Sequence, residues 1–243
     1  MLKSLLTRLR PAPTAVFEDP RPDATFAVIG DVHGRLDLLE GLLAKLPDGV
    51  PVVCVGDYID RGPQSIETLR FLKDRPDITC LKGNHEDMLL SFIKEPEEKG
   101  PRWIRNGGLQ TLADLGVRGL SEMTRGMKLR EARNTLVKEM GEDLVKWVED
   151  LPLIRWSGNI AVVHAGADPA VPIEDNPPKT LIWGHRDFMT TPRQDGWWVA
   201  HGHTIVDEAI VSEGRISLDT GAFATGRLTA AVIAPEGIEL IAT

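Results

Sequence analysis

No run of apolar residues in this chain approaches the roughly 18 that a membrane-spanning helix needs, so no integral membrane association is expected. Cysteine is scarce: Cys54 and Cys80 are the only two in 243 residues. They lack the Cys-x-x-Cys spacing of a redox or zinc site. Both lie inside apolar runs and read as buried thiols in a reducing compartment, which points to the cytoplasm. Positive charge is also short, with 28 Lys and Arg against 36 Asp and Glu, a net charge of −8. That argues against a nucleic-acid partner held on a basic face. An acidic total does not exclude an anionic substrate, because bound divalent cations reverse the local field. No internal repeat is found, and the one biased segment is a Pro-rich stretch at 11–25.

What is present is enough apolar residue, 42% of the chain, to build a full core. Residues 1–25 read as an N-terminal arm and 26–243 as one domain. The first ten residues, MLKSLLTRLR, place Leu2, Leu5, Leu6 and Leu9 at helical spacing. They read as a short terminal helix and lack the apolar core of a secretory signal. From Phe26 onward, apolar runs alternate with helical patterns at 35–46, 65–75 and 85–94. Three successive β-α units predict a mostly parallel sheet with right-handed crossovers. About 95–150 turns helical and charged, and reads as an insertion or cap. The last third holds short apolar runs with Gly turns: TLIWG, WWVAHG, EAIVS, RISLDTG, LTAAVIA and GIELIA. These predict a second sheet packed on the first. The fold class is therefore α/β, with two mixed sheets as a central sandwich, flanking helices and a helical insertion.

The chemistry-bearing residues sit in glycine-marked turns just after apolar runs, in GDVHG (30–34), GDYIDRG (56–62), GNHE (83–86), HAG (164–166) and GHT (202–204). The carboxyl edge of α/β strands is where sites are built. Asp31 and His33 are expected on one side of an extended turn, because side chains alternate. Asp57 could bridge two ions, and Asn84 adds an amide ligand beside His85. Carboxylate, imidazole and carboxamide without thiolate suit Mn, Fe or Zn ions that activate water.

These five motifs, in this order, resemble the calcineurin-like metallophosphoesterases, and more closely the bacterial and phage branch of the phosphoprotein phosphatases. SLDTGAF (217–223) is similar to the family's late strand-turn segment. The resemblance implies two divalent ions per chain, Mn first and Fe or Zn as alternatives. Asp31, His33 and bridging Asp57 would hold one ion. Asp57, Asn84, His164 and His203 would hold the other. A water activated between them would attack phosphorus directly. Arg61, Arg186 and Asn84 would bind the phosphate, Arg61 in fork geometry. His85 would protonate the leaving group, held charged and oriented by Asp60.

Other residues read more plainly. His185 reads as surface or structural, and His201 as core. The tryptophans at 103, 147, 156, 183, 197 and 198 read as core or rim, with Trp103 and the NGG turn at 106–108 similar to a segment over the site. Asp37, Glu86 and Asp87 read as helix-start acids. Thr225 departs from a Gly-Gly pair common in the family. The expected substrate is a phosphoserine or phosphothreonine protein, with phosphotyrosine a further candidate. The alternatives are a dinucleoside polyphosphate (diadenosine tetraphosphate) or a phosphorylated small molecule. A catalytically dead scaffold is disfavoured, because every implied ligand position is filled.

Overall fold

The computed structural model describes residues 18–243, and the basic Leu-rich segment at 1–10 lies outside them. The first three apolar runs form β1 (Phe26–Ile29), β2 (Val52–Cys54) and β3 (Ile78–Cys80), and each passes through a turn into a helix. These helices are α1 (Leu36–Leu43), α2 (Ser65–Lys73) and α3 (Asn84–Lys94). β1 pairs with β2, and β2 with β3, in parallel. Antiparallel addition of β9 (Thr229–Ala234) to β1, and of β10 (Gly237–Ala242) to β9, makes the sheet mixed. Its order is β10-β9-β1-β2-β3.

The second sheet has the order β4-β5-β6-β8-β7, from β4 (Ile154–Ser157), β5 (Ile160–Val163), β6 (Trp198–His201), β7 (Ile210–Ser212) and β8 (Arg215–Ser217). β5, β6 and β8 run parallel, while β4 and β7 are antiparallel edges. The fold is thus α/β with two mixed sheets and surrounding helices.

Two-sided burial explains why the strand sequences are continuous apolar runs rather than alternating ones. Val28 and Val53 of the first sheet, with Val55 and Leu81 just past its strand ends, pack with Ile160, Val162 and Ala200 of the second and with Leu218 just past β8. The opposite face of β1, Ala27 and Ile29, packs with Leu39, Leu42, Ile66 and Leu69 of α1 and α2. Each fully buried Leu or Ile contributes roughly 1.5–3 kcal/mol. Among the described residues, no helix is long and apolar enough to cross a membrane.

Between α3 and β4 the chain is helical: α4 (Pro96–Trp103), a wide turn over Ile104–Gly108, α5 (Leu109–Asp114), α6 (Met127–Met140) and α7 (Glu142–Asp150). Leu129, Ala132, Leu136 and Met140 form the buried stripe of α6. One strand expectation fails. TLIWG lies in α8 (Pro178–Trp183), opened by Pro178 in the first turn and closed by Gly184 at φ 81°. Proline there has its φ preset for a helix, and a left-handed glycine ends one. A short apolar run does not distinguish strand from helix by period.

The last part of the arm is fastened along the second sheet. Trp198 Nε1 donates to the Glu18 carbonyl at 2.8 Å, and the Asp23 amide donates to Ser157 Oγ at 3.1 Å.

Candidate active site

The turns after β1, β2, β3, β5 and β6 converge at one edge, and several adopt backbone conformations that most side chains avoid. His33 (φ 47°), Asp57 (54°), Asp60 (72°), Arg61 (68°) and His203 (64°) are all left-handed. The turn at Asp31–His33 is therefore not the extended one its sequence suggests. Such residues cost about 1–2 kcal/mol each and persist only where surrounding contacts impose them.

Those contacts are specific. The buried Glu86 carboxylate accepts the amides of Asp57 (2.8 Å), Tyr58 (2.8 Å) and Gly83 (2.9 Å), tying the second turn to the third. The Asp57 carbonyl accepts the His33 amide at 2.8 Å, tying the first turn to the second. The His203 amide donates to both Asp31 oxygens, at 3.1 and 3.0 Å. Gly202 permits this approach, since a Cβ there would lie 1.8 Å from Asp31 Oδ1. Glu86 starts its helix as expected, but its reach to residues 57 and 58 could not be read from local spacing.

Two ligand-type groups share Asp57: His33, Asp57 and His85 on one side, and Asp57, His164 and His203 on the other. Asn84 joins the second, its Oδ1 lying 2.9 Å from His164 Nε2 and 2.7 Å from His203 Nδ1. Asp31 borders the cluster through His203 rather than entering either three-residue group. Arg186 is 88% exposed on its side chain and pairs with Asp187. No hydrogen bond joins it to the cluster among the described residues. His185 faces Asp168 and Asp187. His201 is buried, with its Nε2 2.8 Å from Ser217 Oγ.

The donor set fits divalent cations. His164 Nδ1 faces the Val55 carbonyl at 3.2 Å, which can only accept, so the ring proton belongs there. Burial holds His164 down at about 4, against the pull of Asp57, so the ring is neutral. Its Nε2 lone pair then meets two oxygens, Asn84 Oδ1 and, at 3.4 Å, Asp57 Oδ1. A cation satisfies that group of acceptors, and imidazole with oxygen donors suits Mn, Fe or Zn. His33 shares the neutral ring and the tautomer, although its Nε2 lies 3.0 Å from the Arg61 NH1 donor. Its Nδ1 meets the Ile59 carbonyl at 2.9 Å, and burial lowers it to about 3.

Carboxylate crowding points the same way. Burial, then Asp219 and Asp57, push Asp31 well above the usual carboxylate range. Burial also raises Asp219, a neighbour that the turn sequence did not single out. Burial alone would raise Asp57, but His164, His85 and His33 hold it below its ordinary value.

Beside this cluster lies a buried imidazole–carboxylate pair. His85 Nδ1 and Asp60 Oδ2 are 2.6 Å apart. Burial pulls His85 down, but Asp57 and the Asp60 hydrogen bond outweigh it and raise the imidazole above its ordinary value. Asp60 also accepts from Trp103 Nε1 at 2.8 Å and from Thr111 Oγ1 at 2.6 Å. The helical segment thus clamps the acid that orients His85. Thr111 had no signal in the sequence, and Trp103 acts through Asp60. Gly107 (φ 116°) permits the close packing: a Cβ there would lie 2.8 Å from Arg61 Cγ. Arg61 NH1 lies 3.0 Å from His33 Nε2, and its guanidinium carbon lies 4.7 Å from the Phe223 ring centroid.

Residues 24–215 match the calcineurin-like phosphoesterase family, and the chain belongs to it. It is 29% identical over 235 residues to the asymmetrical bis(5'-nucleosyl)-tetraphosphatase PrpE of Bacillus subtilis, covering 84% of this chain and 88% of that one. It is 28% identical over 228 residues to serine/threonine-protein phosphatase 2 of Salmonella typhimurium, covering 83% and 89%. Its fold is similar to that of a metallophosphoesterase from Sphaerobacter thermophilus, with a TM-score of 0.55, 16% identity, and 90% and 88% coverage. The chain is accordingly a hydrolase of the metallophosphoesterase type.

Proposed function

We propose that this chain is a metal-dependent phosphomonoesterase that hydrolyses phosphoserine and phosphothreonine in proteins. The observation that carries this reading is the pair of ligand groups sharing Asp57 with the His85–Asp60 pair alongside. Bound at Asp57, Asn84, His164 and His203 on one side, and at His33, Asp57 and Asp31 on the other, two divalent ions, manganese first, would supply Lewis acidity and a nucleophilic water.

The protein's own groups account for the rest. Arg61 stands beside His33, where its guanidinium can grip the non-bridging phosphate oxygens. His85 carries a proton at Nε2 while Nδ1 is engaged by Asp60, so it can hand that proton to a departing alkoxide. Serine and threonine are poor leaving groups, and a preoriented acid matters most for them. Cys54 and Cys80, both free and buried, fit a reducing, cytoplasmic setting.

A second reading is hydrolysis of dinucleoside polyphosphates, favoured by the activity named for the Bacillus subtilis relative. The test offers Mn2+-reconstituted protein a phosphoserine/phosphothreonine peptide and diadenosine tetraphosphate in parallel and compares kcat/KM. Phosphate release from the peptide with the dinucleotide largely intact supports the first reading. An inert peptide with rapid dinucleotide cleavage replaces it with the second.

A further inference from the structure

The two most exposed large apolar side chains among the described residues stand close together in sequence: Met123 is 80% exposed and Met127 72%. The loop that carries Met123 is fixed by its own bonds. The Ser121 amide donates to Thr124 Oγ1 at 2.8 Å, the Thr124 amide to the Ser121 carbonyl at 2.9 Å, and the Met123 amide to Ser121 Oγ at 3.3 Å. These bonds close a turn that presents Met123 to solvent, and Met127 then opens α6. The same loop and α6 enclose an open pocket of about 290 Å3. Leu115, Val117, Leu120 and Ala132 are its apolar lining, and Arg118 and Lys128 stand there against the single carboxylate of Glu131.

Three observations define what this surface accepts. First, it is continuous with the reaction centre. Glu122 and Arg105 line the hollow beside Arg61 and Phe223, while Leu120 lines the pocket on α6. The two residues of chain from Leu120 to Glu122 span at most about 7 Å. Second, the cations along this path are left without carboxylates. Arg35, Arg75, Arg193 and Arg215 each pair with a neighbouring acid. Arg105, Arg118 and Lys128 pair with none among the described residues, and Arg125 donates to the Glu122 and Thr124 carbonyls of its own loop. In a chain of net charge −8, that makes a cationic strip leading away from the site. Third, methionine is unbranched and polarizable, and suits a surface that takes apolar side chains of varied shape.

We propose that this face docks the flank of a phosphoprotein substrate: an extended segment that carries acidic residues and an apolar side chain near its phosphoserine. The docking role rests on the protein-phosphatase reading above and names the substrate class for that site. With the phosphate held at Arg61, the flanking chain runs past Arg105 and Glu122 onto the loop. Its carboxylates meet Arg118 and Lys128, and its apolar side chain enters the pocket at Leu115, Val117 and Leu120, against Met123 and Met127. Apolar burial there supplies affinity, while the exposed charges supply selectivity and a faster encounter. A basic flank meets like charge along the same path and is disfavoured.

The test uses the full Mn2+-loaded chain and three substrates. These are a phosphoserine peptide flanked on both sides by Leu, Asp and Glu, the same peptide with Lys at the acidic positions, and p-nitrophenyl phosphate. The acidic peptide is expected to show a kcat/KM about three- to tenfold above the basic one, mainly through KM. Combining Arg118→Glu with Lys128→Glu should remove or invert that preference and leave the aryl phosphate rate unchanged. Combining Met123→Ser with Met127→Ser should raise KM for both peptides by about two- to fivefold. All four side chains are exposed, and the aryl phosphate rate on the same preparation corrects for folding. Equal kcat/KM on the two peptides, a preference untouched by charge reversal, or an unchanged KM in the methionine variant overturns the docking surface alone. A wild-type chain that cleaves neither peptide overturns the protein-phosphatase reading and the docking surface with it.

Discussion

At the edge where the strands begin, the left-handed turn positions are glycines: Gly49, Gly158, Gly196, Gly214 and Gly237, with Glu213 the one other residue among those described. At the edge where they end, glycines such as Gly34, Gly56, Gly166 and Gly221 also turn the chain, but the same conformation is taken in addition by His33, Asp57, Asp60, Arg61 and His203. Glycine adopts it without a Cβ penalty, whereas each of the others costs about 1–2 kcal/mol. One edge turns the chain cheaply. The other accepts strain and brings carboxylate, imidazole and amide side chains to one point, and the backbone bonds to Glu86 and Asp31 hold it there. We infer a division of stability and function between the two ends of the same sheets, which substitutions can test.

The largest effect is expected at Asp57, the residue common to both ligand groups. Asp57→Asn should cost at least about a hundredfold in kcat/KM and reduce bound Mn2+ per chain, read by hydrolysis of an aryl phosphate and by elemental analysis. A variant with full metal content and activity would remove Asp57 from the site. Next comes His85→Asn, with a loss of about 10²–10⁴-fold on a phosphoserine peptide and a smaller one on an aryl phosphate. Equal losses on both substrates would sink the leaving-group role.

Much of this contrast was legible beforehand, for physical reasons. A turn that follows a two-sided apolar run and packs Gly, Asp, His and Asn together has few structural uses, so its residues stand out. The contacts that hold those turns were hidden. Glu86 reaches back 29 residues to Asp57, and Thr111 reaches 51 to Asp60. No local pattern encodes such distances. The same gap explains TLIWG, where the period was ambiguous and the neighbouring prolines decided for a helix.

At the other edge, Gly158→Ala should affect stability rather than chemistry. Its φ is 56° and a Cβ there would lie 1.7 Å from the Arg21 carbonyl oxygen. We expect a cost of about 1–3 kcal/mol, a fall of roughly 5 °C in Tm, and unchanged kcat on the folded fraction. A loss of kcat with Tm preserved would dissolve the division between the edges.

The smallest effect lies away from both edges. Burial, then the neighbouring Glu67 carboxyl, raises Asp114 to about 6. A carboxyl raised in the folded state contributes stability that is fully present below its unfolded value of 3.8 and is lost as pH rises through about 6. Asp114→Asn should flatten the pH dependence of Tm across that window, as thermal melts would show. An undiminished slope would assign it to other groups.

The central question is whether the strained edge holds two divalent ions. Calorimetric titration of the metal-free chain with Mn2+ tests this most directly. Two ions should bind per chain, and one or both sites should be lost in Asp57→Asn. Absence of binding by a folded chain would contradict this.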